Sequence, residues 1–266
     1  MLVVGLGIIA LGWFLGGVFN NSNIATGFFL FSIVQSLVAF WFSDKIAIAT
    51  SGAVPADEQE HAMLFRVVRK VKDMTGLPMP KVYVIDDPAP NAFATGRNEN
   101  NAAVAATTGI LRLLTEEELE GVIAHEFGHI QNRDILVNTI VVVLVGFLSL
   151  LARMVAFGGG SSDDNRGGNA ALGIVGMLVA PLVGMLIQLA ISRKREFLAD
   201  ATGALTTHHP EHLARALEKI SGASRPMINA NQATAHLFIA NPFGNLGSLF
   251  MTHPPVEERV KALLGK

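Results

Sequence analysis

The chain contains four long stretches of apolar residues without a charged side chain. A bilayer core needs about 20 apolar residues in helical form, with a range of roughly 17 to 25. The stretches come close to that length, and they run over Leu2–Phe19, Ile24–Phe42, Ile135–Ala152 and Ala170–Ser192. We therefore predict four transmembrane helices, with a buried helix of a soluble domain as an alternative for the third stretch.

The first stretch lies where a signal peptide would be. It has no basic residue ahead of its apolar core and no A-x-A pattern after it, whereas cleaved signals carry both features. We expect this stretch to be retained as a membrane span.

Basic residues near the ends of the apolar stretches predict their orientation, because such residues resist translocation and stay in the cytoplasm. Those on one side are Lys45, Arg133, Arg193, Lys194 and Arg195. The opposite side has the uncharged turn 20–23 and a loop in which arginines are matched by aspartates. The prediction is a multi-pass protein of the cell (inner) membrane with both termini in the cytoplasm.

These patterns divide the chain into three parts. Residues 1–42 form two N-terminal transmembrane helices, and residues 135–192 form a transmembrane hairpin. The polar segments 43–134 and 193–266 together form one cytoplasmic domain, into which the hairpin is inserted.

The composition agrees with a membrane protein and narrows its chemistry. Half of the 266 residues are hydrophobic and 16% are charged, against roughly 25% charged in an ordinary soluble domain. The net charge of −2 and the lack of a basic run argue against nucleic acid as a partner. Without cysteine, a transition metal could be held strongly only by histidine and carboxylate.

The polar segments predict helices with a small β-sheet. Apolar residues at helical spacing predict a helix over Pro55–Val71 that is closed by Gly76. Lys81–Ile85 is typical of a strand, and Asn91–Leu111 predicts two short strands around a turn at Arg97–Asn101. The fold class is therefore an integral-membrane, mainly α-helical chain with a small β-sheet.

A capping box at Thr115–Glu118 marks the start of a helix that contains His125-Glu126-Phe127-Gly128-His129. Residues four apart share one face of a helix, so both imidazoles can reach one ion. The pattern is the HExxH motif of zinc peptidases. Glu126 is rotated about 100 degrees from His125, so it can take a proton from a metal-bound water without being a ligand itself. No Gly or Pro lies between His129 and the third apolar stretch, so we expect the helix to continue unbroken into that stretch.

A catalytic zinc needs a third protein ligand and one open position. Glu196 and Asp200 share a helical face in the segment after the fourth stretch, which suits a ligand and a carboxylate that orients a histidine. The alternative is a surface helix end with charges at i,i+4. Two predicted spans separate His129 from Glu196, and an even number of crossings returns both to one side of the bilayer.

The chain resembles the HtpX family of integral-membrane zinc peptidases, relatives of the CAAX prenyl proteases, over nearly its whole length. The segments that carry the resemblance are HEFGHIQNRD, NAFATG, SRKREFLAD and THPPVEER. It implies a gluzincin-type cytoplasmic peptidase domain with one Zn²⁺ per chain. His125, His129 and Glu196 would be the ligands, with Asp200 supporting a histidine. Family members are stress and quality-control proteases whose catalytic domain faces the cytoplasm.

Two further segments gain a role from the resemblance. Asn91, Ala92 and Phe93 would belong to an edge strand that pairs with extended substrate, although a plain hairpin strand fits the same residues. His253 would stabilise the oxyanion of the tetrahedral intermediate, with helix capping before Pro254 as its alternative. Arg259 is expected to pair with a carboxylate.

The remaining histidines include a close group, His208, His209 and His212, at the polar start of a helix. We interpret them as ordinary surface residues and not as a second metal site.

The main prediction is a zinc endopeptidase that cuts misfolded or damaged membrane proteins, with the lipid bilayer as its other partner and an unknown oligomeric state. An intramembrane-cleaving protease is disfavoured, because the charged residues around the motif would cost several kcal/mol each in lipid. A metal-binding membrane scaffold or adaptor without proteolytic activity is the alternative from another class.

Overall fold

The computed structural model describes residues 44–136, 193–231, 234–244 and 253–265, with a few single positions outside these ranges. The four predicted spans lie outside the described residues apart from isolated positions. Among the described residues, no helix is both long enough and apolar enough to cross a membrane.

A mixed four-stranded sheet forms one layer of the described structure. Its strands are β1 (Val54–Pro55), β2 (Lys81–Ile85), β3 (Ala92–Gly96) and β4 (Ala102–Thr107). The order is β1-β2-β4-β3, with β2 and β4 parallel and the two outer pairs antiparallel. The predicted strands around the 97–101 turn are confirmed, and β3 lies at an edge of the sheet.

Helices that pack against the sheet and against one another form most of the rest of the described fold. They are α1 (Ala62–Thr75), α2 (Thr108–Leu113), α3 (Glu116–Gln131), α4 (Arg193–Thr207), α5 (Pro210–Gly222) and α6 (Val256–Leu264). The described part of the chain is therefore mainly helical with a small mixed sheet, as the sequence predicts.

The sheet separates two apolar clusters because side chains alternate between its faces. On β4, Val104 belongs to the larger cluster with α1, α3 and α5, whereas Ala103 and Ala105 belong to the smaller one. The α3 helix contacts the sheet at β3. This places the middle of α3 in the interior, where His125 and Glu126 are almost completely buried.

The predicted helix over Pro55–Val71 is wrong at its start. Val54 and Pro55 pair with β2 instead, and the Asp57 carboxylate accepts backbone hydrogen bonds from Gln59 and Glu60 in a turn. The helix begins only at Ala62. Its end is as predicted, because Gly76 adopts a left-handed conformation with φ of 71°.

The α3 helix has the predicted start but not the predicted end. The Thr115 hydroxyl accepts from the Glu118 backbone N–H, and the Glu118 carboxylate accepts from the Thr115 N–H, so the capping box is confirmed. The expectation that the helix continues unbroken is wrong. It ends at Gln131, and Arg133 has a left-handed φ of 59°, which turns the chain before helical residues resume at 134.

Candidate metal centre and active site

The structure brings His125, His129 and Glu196 together, with one ligand atom of each within 4.8 Å of the others. Glu196 lies 3.8 Å from the Nε2 atom of His125 and 3.5 Å from that of His129. The two imidazole rings are nearly perpendicular, with centroids 4.8 Å apart. All three side chains are buried, so the group is a candidate ligand set in the interior.

Glycine allows α4 to approach α3 closely enough to form this group. An added Cβ at Gly203 would lie 2.8 Å from the backbone nitrogen of His125, and one at Gly128 would lie 3.0 Å from the Ala199 carbonyl oxygen. Side chains at these positions would hold the two helices apart. The glycines therefore help to fix the distance between Glu196 and the histidines.

A carboxylate lies behind His125. The Nδ1 atom of His125 is 2.9 Å from Asp200, which leaves Nε2 facing Glu196. Arg259 donates two hydrogen bonds to Asp200, at 2.9 and 2.7 Å, as predicted for a carboxylate partner. Burial opposes ionisation of Asp200, but the Arg259 guanidinium outweighs it and lowers the pKa of Asp200 to about 2.

A second carboxylate lies behind His129 and was not predicted from the sequence. The Nδ1 atom of His129 is 3.3 Å from Asp134, and Arg195 lies 3.4 Å from the other oxygen of Asp134. Burial alone would lower the pKa of His129, but Asp134, Glu196 and Glu126 raise it to about 9. This excess of negative charge favours a cation in the group.

Glu126 lies beside the ligand group without being part of it. It is 1% exposed, and the Ala94 backbone N–H on β3 donates to its carboxylate. Burial raises the pKa of Glu126 despite the nearby histidines. A carboxylate with a raised pKa can accept a proton and release it again near neutral pH.

His253 contacts the ligand group from the C-terminal part of the chain. Its Nδ1 atom lies 2.7 Å from Glu196, and its Nε2 atom lies 2.5 Å from the Phe238 carbonyl oxygen. Burial of Glu196 opposes ionisation, but its electrostatic interaction and hydrogen bond with His253 hold the pKa of Glu196 well below its usual value. Glu196 is therefore ionised, as a metal ligand must be.

The predicted substrate-binding residues Asn91, Ala92 and Phe93 lie on or beside β3 and are buried. The Asn91 side chain bonds to the backbone of Ala240, and the Ala92 carbonyl accepts from Ile239 N–H at 2.9 Å. In this structure, part of the β3 edge is therefore occupied by the chain itself.

The residues present fit a zinc ion. Zinc takes imidazole nitrogen and carboxylate oxygen at about 2.0–2.2 Å, and the three ligand atoms are close enough together to share one ion. Both histidines direct Nδ1 at a carboxylate and Nε2 at Glu196. Metal-binding histidines commonly have this arrangement, since the outer carboxylate fixes the tautomer and the ring orientation.

The structure also brings together His209, Glu211 and His212 near the start of α5. The His209 and His212 rings stack with centroids 4.7 Å apart, and His209 lies 2.9 Å from Glu211. These side chains are more exposed than the first group, and about half of the His209 side chain is open to solvent.

The model of peptidase family M48 matches residues 58–266, which contain every residue of the candidate site. The chain belongs to peptidase family M48. This confirms the predicted kinship with HtpX-type zinc peptidases. Members of the M48 family are zinc metallopeptidases, and nothing in the match supports the non-proteolytic scaffold.

Curated M48 relatives match almost the whole chain. A Protease HtpX homolog of Syntrophobacter fumaroxidans is 48% identical over 266 residues, covering 96% of this chain and 94% of the relative. A Protease HtpX homolog of Thermoanaerobacter pseudethanolicus is 46% identical over 269 residues, covering 96% and 89%.

The crystal structure of S. mikatae Ste24p has a similar fold, with a TM-score of 0.51 and 22% identity. The alignment covers 88% of this chain, but this chain spans only 57% of Ste24p. The likeness supports the M48 fold alone.

Proposed function

We propose that this M48 member hydrolyses peptide bonds of protein substrates at a zinc ion held by His125, His129 and Glu196. The observation that carries the proposal is the buried ligand group itself. Both histidines direct Nε2 towards Glu196, and each has a carboxylate behind Nδ1. Such a preorganised set of two nitrogens and one oxygen leaves one position for substrate chemistry.

Zinc, when bound, supplies a Lewis acid that polarises the scissile carbonyl and acidifies water. Glu126 then acts as the general base: its carboxylate accepts a proton from the attacking water and delivers it to the leaving amine nitrogen. Burial raises the pKa of Glu126, which favours the protonated carboxyl group that exists after it accepts the proton and before it delivers it. The Ala94 N–H orients the carboxylate.

His253 has the second proposed catalytic role. Its ring contacts Glu196 and so lies next to the proposed metal, where a donor could stabilise negative charge on the tetrahedral intermediate. Its Nε2 atom contacts the Phe238 carbonyl in this structure. The proposed role requires a ring N–H to turn from this protein contact to the substrate oxyanion.

The proposed setting is the cell (inner) membrane. Four spans within 1–42 and 135–192 would anchor a cytoplasmic peptidase domain built from 43–134 and 193–266. The apolar stretches and the bias of basic residues support this arrangement. Misfolded or damaged membrane proteins are the proposed substrates, because their exposed segments would lie near the anchored domain. Backbone pairing with β3 would accept many sequences.

Removal and return of zinc test the proposed chemistry. Detergent-purified protein should lose casein cleavage when a chelator removes its metal, and one equivalent of zinc should restore the activity. Magnesium is the matched control, because it prefers all-oxygen sites and should not restore cleavage. Full cleavage by metal-free protein would contradict the proposal.

A further inference from the structure

Residues Phe238–Ala240, here called the strap, lie along the outer edge of β3. The inner edge of β3 is paired with β4. On the outer edge, Ile239 N–H donates to the Ala92 carbonyl oxygen at 2.9 Å. The strap therefore occupies backbone positions that an added strand would use.

Asn91 binds the next residue of the strap, Ala240, through both polar atoms of its side chain. Its amide nitrogen donates to the Ala240 carbonyl at 2.9 Å, and its amide oxygen accepts from the Ala240 N–H at 3.0 Å. Every residue except proline offers this pair of backbone groups. The Asn91 amide is therefore suited to recognise a peptide backbone independently of its sequence.

The strap also reaches the candidate metal group. Phe238 packs edge to face on Phe93, with ring centroids 5.0 Å apart. The Phe238 carbonyl accepts a hydrogen bond from His253, which contacts Glu196 through its other ring nitrogen. One continuous uncharged segment thus contacts both the edge strand and His253.

We propose that the strap is an internal pseudosubstrate that covers the peptide-binding edge of β3. Cleavage then requires an extended apolar segment of a substrate to displace it. The chemistry of Phe238, Ile239 and Ala240 indicates the class of segment that competes best: uncharged and apolar, with free backbone groups. This inference rests on the proposed peptidase function.

A disulfide that holds the strap in place tests the inference. Ile239 donates its N–H to the Ala92 carbonyl at 2.9 Å, and both residues belong to the same buried cluster, so a disulfide between these two positions would hold the strap against β3. Because the chain has no cysteine, an Ala92→Cys/Ile239→Cys variant can form only this intramolecular bond. Oxidation should reduce casein cleavage at least tenfold, and a phosphine reductant should restore it, with zinc content unchanged.

The two single-cysteine variants, treated in the same way, are the matched controls and should not respond to oxidation. Equal cleavage by the oxidised and reduced double variant would overturn the strap proposal while leaving the peptidase intact. If zinc-loaded wild type and reduced variant both failed to cleave casein, the proposed function would fail, and the strap proposal with it.

A second variant works in the opposite direction and does not depend on disulfide formation. Ile239→Pro removes the N–H that donates to Ala92, whereas Ile239→Val keeps it. Loss of one hydrogen bond of about 1 kcal/mol corresponds to about fivefold faster casein cleavage by Ile239→Pro than by Ile239→Val. Slower cleavage by zinc-loaded Ile239→Pro would show that the strap builds the cleft and does not block it.

Discussion

The ligand histidines are each oriented by a carboxylate that does not itself contact the proposed metal position. The Asp200 carboxylate contacts Nδ1 of His125, and the Asp134 carboxylate contacts Nδ1 of His129. Each ring therefore keeps Nε2 for a bond to the metal. Removing such a partner leaves the ligands in place but loosens their orientation. Side chains behind the histidines should therefore affect zinc affinity.

Replacing Asp134 with asparagine tests whether the carboxylate behind His129 contributes to zinc affinity. We expect Asp134→Asn to weaken zinc binding by roughly 10- to 100-fold, the usual effect of losing an outer carboxylate. Zinc affinity can be measured by competition with a chromophoric chelator. Asp73→Asn is the control, because Asp73 is exposed and pairs only with its neighbour Lys72 among the described contacts. Equal affinities for the two variants would exclude Asp134 as an orienting group.

The sequence predicts which site residues lie within the helices, but it does not predict the site residue Asp134, which follows the end of α3. The spacing of His125 and His129 depends only on helical periodicity, and Glu196 and Asp200 share one helical face for the same reason. Asp134 reaches His129 because the chain turns at Arg133, whose φ is 59°. Nothing in the apolar pattern indicates that turn, so the pairing could not be predicted.

At the scale of elements, the contact between α3 and α4 sets the geometry of the ligand group. Alanine in place of a helical glycine usually stabilises a helix by about 0.5–1 kcal/mol. At Gly203, however, the added Cβ would lie 2.8 Å from the His125 backbone nitrogen. Overpacking in a well-packed interior costs typically about 1–3 kcal/mol, so the clash should outweigh the gain in helix propensity.

We therefore expect Gly203→Ala to lower the thermal unfolding midpoint and to weaken zinc binding, because it moves Glu196 away from the histidines. Gly222→Ala is the matched control, since nothing lies within 4 Å of a Cβ at Gly222. Differential scanning fluorimetry in detergent and zinc titration measure the two effects. A Gly203→Ala protein as stable and as zinc-avid as Gly222→Ala would contradict this role of the helix contact.

Local patterns predict the strands and caps, but tertiary pairing decides the start of α1. Pro55 looks like the opening of a helix, yet Pro55 and its neighbour Val54 pair with β2, a partner about thirty residues away in the chain. The burial of Asn91–Phe93 has the same origin, because the strap that covers them is more than 140 residues further along. Such long-range contacts leave no signal in local periodicity.

At the scale of the whole molecule, the site joins two polar segments that are far apart in sequence. His129 lies 3.5 Å from Glu196, although the predicted hairpin 135–192 separates them. Both side chains must therefore lie on the same side of any membrane that the chain crosses. This proximity requires an even number of crossings, which the proposed hairpin supplies.

Cysteine labelling tests the proposed topology, since the chain has no cysteine of its own. In right-side-out membrane vesicles, an impermeant maleimide should label Asp163→Cys, in the proposed external loop, at once. It should label Glu60→Cys, whose native side chain is 76% exposed, only after permeabilisation. Immediate labelling of Glu60→Cys would contradict the cytoplasmic placement of the peptidase domain.

Zinc content and casein cleavage, measured together on wild type, Glu126→Gln and Glu196→Gln, test the proposed active site most directly. Wild type should bind one zinc and cleave. Glu126→Gln should keep the zinc and lose cleavage by at least about 100-fold, the low end of what a general base contributes, whereas Glu196→Gln should lose both. Cleavage by Glu126→Gln at the wild-type rate, or an equally tight zinc in Glu196→Gln, would contradict the assignment of these residues.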